Sequence, residues 1–239
     1  SMSETAQLRL PLVMPSQAQK HVTVNEALAK LDAFAQLRLS SFTLQVPPDY
    51  PLPGERDAVR PHAEGAWSGR SGEIATFVNG GWLFTTPQAG WKAWDAQAGL
   101  MRTFDGADWI EGAVTFGAGG SASQWLVTEH EHVVTPGATN LTAFTLPAPA
   151  LVLGVTGRVV VPMTGTGLAS WKLGVPESDN RYGSGLGIGL NSYVIGLTGS
   201  PLAYYSPTPL LISGVGGALS GGVIRLALHY IEIRVPRAV

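Results

Sequence analysis

All thirty glycines of this 239-residue chain come after residue 53. That asymmetry limits the fold more than any other feature. From Gly54 onward, glycine and eleven of the seventeen prolines interrupt the chain too often for long helices. Inside a helix, each glycine costs about 1 kcal/mol and each proline about 3 kcal/mol relative to alanine. Short strands joined by turns remain. The sequence therefore predicts a mainly β protein: a short N-terminal helix, a small β-meander, then a C-terminal β-sandwich or jelly roll.

In the glycine-free part, "NEALAKLDAFAQLRL" (residues 25–39) reads as a helix. Asn25 suits the N-cap and Glu26 the positive end of the helix dipole. Leu28, Leu31 and Ala35 fall on one face. A helix this short needs a docking surface. The stretch "VPPDYPLPG" then sets four prolines between Pro47 and Pro53, a stiff connector. Residues 1–46 are expected to serve attachment.

Residues 47–112 are rich in tryptophan. Phe77-Val-Asn-Gly-Gly-Trp82 and Phe104-Asp-Gly-Ala-Asp-Trp109 share one pattern, with Asn-Gly or Asp-Gly between apolar residues. These dipeptides are strong hairpin signals. They predict strands near 73–78, 82–86, 91–95, 100–104 and 108–111. Residues 113–124, "AVTFGAGGSASQ", read as a Gly/Ser linker. The rest, 125–239, is expected to be the sandwich, with only eleven charged residues. Ile224, Leu226, Leu228 and Tyr230 alternate with Arg225, Ala227 and His229. Ile231, Ile233 and Val235 then break the phase, which predicts a β-bulge near His229–Ile231.

Charge excludes several functions. The net charge is −2 and no Lys/Arg block occurs, so a nucleic-acid partner is not expected. No apolar run reaches the ~18 residues of a membrane span. Residues 8–15 are too short, and too broken by Pro11 and Pro15, to read as a signal peptide. With no cysteine, thiol catalysis and cysteine-ligated metals are absent.

No catalytic motif stands out. "GSGLGIG" (residues 183–189) lacks the spacing of a dinucleotide loop. "EHEH" (residues 129–132) sets two histidines on one strand face but supplies no third ligand. Glu73, Asp95, Asp105, Asp108 and Glu111 could include a glycosidase pair, which needs two carboxylates flanking a sugar. Asp105 and Asp108 also suit turns. No catalytic residue, metal site or cofactor is assigned.

A sugar needs a flat apolar platform and planar polar groups beside it. "GWLFTTPQAGWKAW" (residues 81–94) holds three of the seven tryptophans. In an extended segment Trp91 and Trp94 point to opposite faces, so one is expected outside the core. A second platform is offered by Trp171, Tyr182, Tyr193, Tyr204 and Tyr205, with Asp179, Asn180 and Arg181 beside Tyr182 in an expected loop. Trp91, Trp94, Trp171, Asp179, Asn180, Arg181 and Tyr182 are the carbohydrate-binding candidates.

"LPLVMPSQAQKHVTVNEALAKLDAFAQL" (10–37) and "GAWSGRSGEIATFVNGGWLFTTPQAGWKAW" (65–94) resemble a family of unknown-function domains found in prophages and gene transfer agents. The run Ser16–Asp32 carries the resemblance most specifically. The last domain resembles C-terminal domains attached to such proteins, and the whole chain resembles a gene transfer agent head spike. The resemblance implies a place on the surface of a phage-like particle, made in the cytoplasm and released with it. It implies contact with other particle proteins, and binding to a recipient cell's capsular polysaccharide that promotes adsorption. A homo-oligomer is expected, a trimer before a pentamer. Polysaccharide depolymerase and purely structural decoration protein are the alternatives.

Overall fold

A computed structural model describes residue 5, residues 10–12 and residues 20–238. Ser16–Gln19 of the resemblance motif lie outside the described residues. The chain is mainly β and divides into two compact units: Ser1–Gly120 with Pro236–Val239, and Ser121–Val235.

The first unit opens with helix α1 (Lys20–Phe34). It starts five residues before the expected helix, so Asn25 is no cap. Leu31 is 54% exposed, while Asp32 and Ala33 are buried. The tertiary partner explains the change of face. Asp32 accepts a hydrogen bond from Arg56 Nη2 at 3.1 Å and one from Thr5 Oγ1 at 2.7 Å. A buried carboxylate needs such partners, and Leu31 does not.

The strands follow as β1 (Arg38–Leu39), β2 (Arg56–Ala58), β3 (Ile74–Val78), β4 (Gly81–Thr85), β5 (Lys92–Asp95), β6 (Leu100–Phe104), β7 (Trp109–Glu111) and β8 (Ala113–Phe116). They include a sheet β2-β3-β4 and a sheet β1-β5-β6-β7. Both expected hairpins form. Asn79 and Gly80 take φ of 51° and 78°, the primed turn that Asn-Gly favours. Phe77 lies opposite Trp82, and Phe104 opposite Trp109. Residues on both sides of Pro47–Pro53 share one core of Leu37, Leu39, Ala58, Ile74 and Ala93.

The second unit holds β9 (Ala122–Val133), β10 (Thr139–Leu146), β11 (Ala150–Thr164), β12 (Ser170–Val175), β13 (Ser178–Leu186), β14 (Tyr193–Tyr204), β15 (Thr208–Val215) and β16 (Gly221–Arg234). One sheet runs β10-β15-β12-β13; the other contributes β14-β11-β16-β9 to this unit. Leu173 and Ile212 from the first, and Val155 and Leu226 from the second, meet in one core. This is the expected sandwich.

The phase of β16 differs from expectation. Ile224, Leu226, Leu228 and Tyr230 are buried, and Ile233 is 80% exposed. Its register with β9 is unbroken from Val223 to Arg234. The irregularity lies in the other neighbour, β11, where Leu153 is the extra residue between Val152, opposite Tyr230, and Gly154, opposite His229. Ile231 and Ile233 therefore stay on the outer face. Among the described residues no helix is long and apolar enough to cross a membrane.

Candidate functional site

The outer face of β14-β11-β16-β9 is built from cross-strand rows, because residues paired directly across strands share a face. One row reads Tyr193, Arg158, Arg225, Glu131. The next reads Ile195, Thr156, Ala227, Glu129. Between them lies a concavity of about 500 Å³.

Each polar group in it is held. The Arg158 guanidinium carbon sits 5.8 Å from the centre of the Tyr193 ring. Its Nη1 donates to the Asn191 carbonyl at 3.1 Å. Asn191 has φ 66°, which ends the turn into β14. Arg225 Nη2 donates to Glu131 Oε1 at 2.6 Å, and its Nε lies 3.7 Å from Glu129 Oε1. The Glu131 hydrogen bond, then its charge, pushes the Arg225 pKa above its usual value. Thr156 Oγ1 and His229 Nε2 are 2.9 Å apart.

Tyr193 is 63% exposed, so its ring offers a flat apolar surface of the kind a pyranose C–H face covers. Arg158 beside it, and Arg225 with Glu129 and Glu131 farther across the sheet, supply planar donors and acceptors for hydroxyl groups. Their formal charges cancel, which suits a neutral ligand.

The sequence candidates are placed differently. Trp171 is 1% exposed, and its Nε1 donates to the Gly187 carbonyl at 2.9 Å. Tyr182 is 2% exposed. Neither offers a face to a ligand, and both leave the candidate list as core residues. Asp179, Asn180 and Arg181 lie on β13, not in a loop. Asp179 pairs with Lys172 at 2.9 Å, Asn180 is exposed, and Arg181 donates to the Tyr204 hydroxyl at 3.0 Å. Trp91 packs on Phe34 with ring centres 5.1 Å apart. Trp94 is 41% exposed on the outer face of β5.

Sequence reasoning named Tyr193 among the aromatics of the last domain but did not carry it into the candidate set, and it missed Arg158. Tyr193, Ile195 and Leu197 do alternate along β14, but only the pairing of β11 with β14 brings an arginine to the ring.

Other motifs resolve as structure. His130 stacks on Phe144 with ring centres 4.5 Å apart, and His132 Nε2 lies 3.3 Å from Asn140 Oδ1. Burial lowers the His132 pKa, with the Asn140 contact opposing. Among the described residues no group of three acidic or histidine side chains is placed to hold a metal. Asp95 and Glu111 both bind Arg102, at 2.8 and 2.6 Å. Asp105 accepts from the backbone N–H groups of Ala107 and Asp108, closing its turn.

Residues 24–110 match one family model. Its description is "Protein of unknown function (DUF2793)". The matched span runs from α1 to β7, within the first unit, and the sandwich lies outside it. No curated protein matches the chain. Among solved structures, a chain of the "Cyanophage Pam1 capsid asymmetric unit" is similar at 22% identity. The match covers 46% of this chain and 85% of that one, with a TM-score of 0.37.

Proposed function

We propose that this chain is the receptor-binding spike of a phage-like particle, such as a gene transfer agent, and that it binds a cell-surface polysaccharide without cutting it. The observation that carries this reading is the row Tyr193–Arg158–Arg225–Glu131: an exposed ring flanked by a fixed cation, beside a second arginine held by a carboxylate. Such groups on a rigid sheet hold a sugar with little ordering cost. The motif resemblance of Ser16–Asp32 supports the particle setting and the contact with other particle proteins.

The placing of the carboxylates supports binding rather than cleavage. Glu129 and Glu131 are neighbours on one strand face and share Arg225. A glycosidase instead sets its two carboxylates on either side of the scissile bond.

One such site binds in the millimolar range, about −4 kcal/mol. Linked copies add roughly 10²–10⁴ in avidity. The same face supplies a surface for assembly, at its apolar end. There Trp125 and Val127 are each 59% exposed, near Ile233. A homotrimer that covers this end leaves the Tyr193 end open. Light scattering on the purified chain reads the trimer, and Trp125→Glu should yield monomers; a wild-type monomer at micromolar concentration removes the assembly from the proposal.

The deciding experiment compares wild type, Tyr193→Ala and Arg158→Ala for binding to capsule-bearing cells and purified capsule. Both variants should lose binding while melting temperature and oligomer size stay unchanged. Wild-type binding by both overturns the site. Reducing ends released from capsule by the wild type would make the protein a depolymerase. If the wild type binds no polysaccharide, structural decoration is left.

A further inference from the structure

The first unit carries a second concavity, of about 480 Å³, on the outer face of β1-β5-β6. Its lining includes Arg38, Lys92, Trp94 and Met101. The backbone explains the grouping. Lys92 and Trp94 alternate with buried Ala93 and Asp95 along β5. Arg38 lies beside Trp94 in the parallel pair β1–β5, and Met101 lies opposite Trp94 in β6. The indole is 41% and Met101 44% exposed.

Among the described residues the charges here are not balanced. Arg56 and Arg102 of the same unit each hold a carboxylate. Arg38 and Lys92 form no ion pair with any described residue. Asp95, the nearest acid along the strand, is on the inner face, where Arg102 engages it at 2.8 Å. Two uncompensated cations therefore flank an exposed indole in one hollow.

We propose that this hollow is a second binding site, for an acidic sugar. The C–H face of the pyranose lies on the Trp94 indole. The anionic substituent of the sugar, a carboxylate, sulfate or phosphate, is held between Arg38 and Lys92. A guanidinium matches a planar or tetrahedral oxyanion through two parallel N–H donors, and the ammonium adds a point charge. The Met101 thioether gives the ring edge a polarizable apolar neighbour. The Tyr193 site differs in kind, because the charges of Arg158, Arg225, Glu129 and Glu131 cancel there. The two sites lie in different units and share no residue, so either can stand without the other.

Isothermal titration of the full chain with trigalacturonate, glucose 6-phosphate, a sulfated disaccharide and neutral maltotriose tests this. At least one acidic probe should bind with a Kd of about 1 mM or tighter. That binding should weaken about tenfold or more in Trp94→Ala and in the Arg38→Gln/Lys92→Gln double variant. It should also weaken as sodium chloride rises from ~0.02 to ~0.3 M, because both cations meet solvent. Tyr193→Ala should leave it unchanged, which separates this site from the first. Trp94→Phe, which keeps a ring, should retain most of the affinity and guards against a folding defect in the alanine variant. The proposal is overturned if no acidic probe binds, or if binding survives in both Trp94→Ala and the double variant. It is also overturned if maltotriose binds this hollow as well as the acidic sugars do, or if inorganic sulfate does.

Discussion

The hydroxyl groups of Tyr182 and Tyr204 lie 2.9 Å apart inside the sandwich, and Arg181 donates to the Tyr204 oxygen at 3.0 Å. Both rings are buried. Burial, then the Tyr204 hydrogen bond, pushes the Tyr182 phenol above its ordinary value. Above pH ~10, unfolding therefore releases a proton that the folded state keeps, and stability falls as pH rises. Tyr204→Phe should lower stability by about 1 kcal/mol, since it leaves Tyr182 and Arg181 without that partner. Chemical denaturation measures the loss, and capsule binding should not change.

Trp171→Ala should cost about 3–5 kcal/mol, the range for removing a fully buried large aromatic. Trp171→Phe keeps most of the volume but strands the Gly187 carbonyl, so a smaller loss is expected. A folded Trp171→Phe variant that still binds capsule, beside a folded Tyr193→Ala variant that does not, would separate packing from recognition. Loss of binding in Trp171→Phe with an unchanged melting temperature would contradict this assignment.

Asp57 is fully buried, and among the described residues only the Ser41 backbone N–H favours its charged form. Burial, then the charge of Glu55, raises its pKa to about 7. The unfolded carboxyl titrates near 3.9. The folded state thus holds a proton that the unfolded chain has lost, and stability falls as pH rises between roughly 4 and 7. The full penalty, on the order of 4 kcal/mol, applies above that window. Asp57→Asn should flatten the pH dependence of the melting temperature and gain most at pH ~8. Superimposable profiles for the two proteins would refute the argument.

Arg237 Nη1 donates to Asp105 Oδ2 at 2.6 Å, tying Arg237 into the first unit. Burial alone would raise the Asp105 pKa. The backbone N–H groups of Asp108 and Ala107, together with Arg237, outweigh it and hold the value below the usual carboxylate range. A depressed pKa contributes stability above the unfolded value near 3.9, and that stability is lost as pH falls through the folded value. Arg237→Ala should cost about 1 kcal/mol at neutral pH, because the arginine is partly exposed and two N–H donors remain. Denaturation midpoints of the two proteins should converge in acid; a constant difference across pH would mean the contact is not electrostatic.

Local chemistry settled much of this fold. Asn79-Gly80 and Asp105-Gly106 fixed two hairpins: Asn79, Gly80 and Gly106 take positive φ, and the Asp105 carboxylate closes the second turn. Their strands fall within a residue or two of the positions read from the sequence, and so does the apolar alternation of Ile224–Tyr230. Interactions across strands were decided only by the tertiary structure. The face that α1 buries depends on Arg56, twenty-four residues beyond Asp32. The side of the sheet that Ile231 and Ile233 occupy depends on one extra residue, Leu153, in the neighbouring strand. Trp171 and Trp94 are equally large and apolar, and nothing local tells them apart. One lies between two sheets; the other lies on the outer face of a single sheet beside Arg38 and Lys92. Periodicity records which residues share a face, but whether that face meets a second sheet or solvent is a property of how the sheets stack.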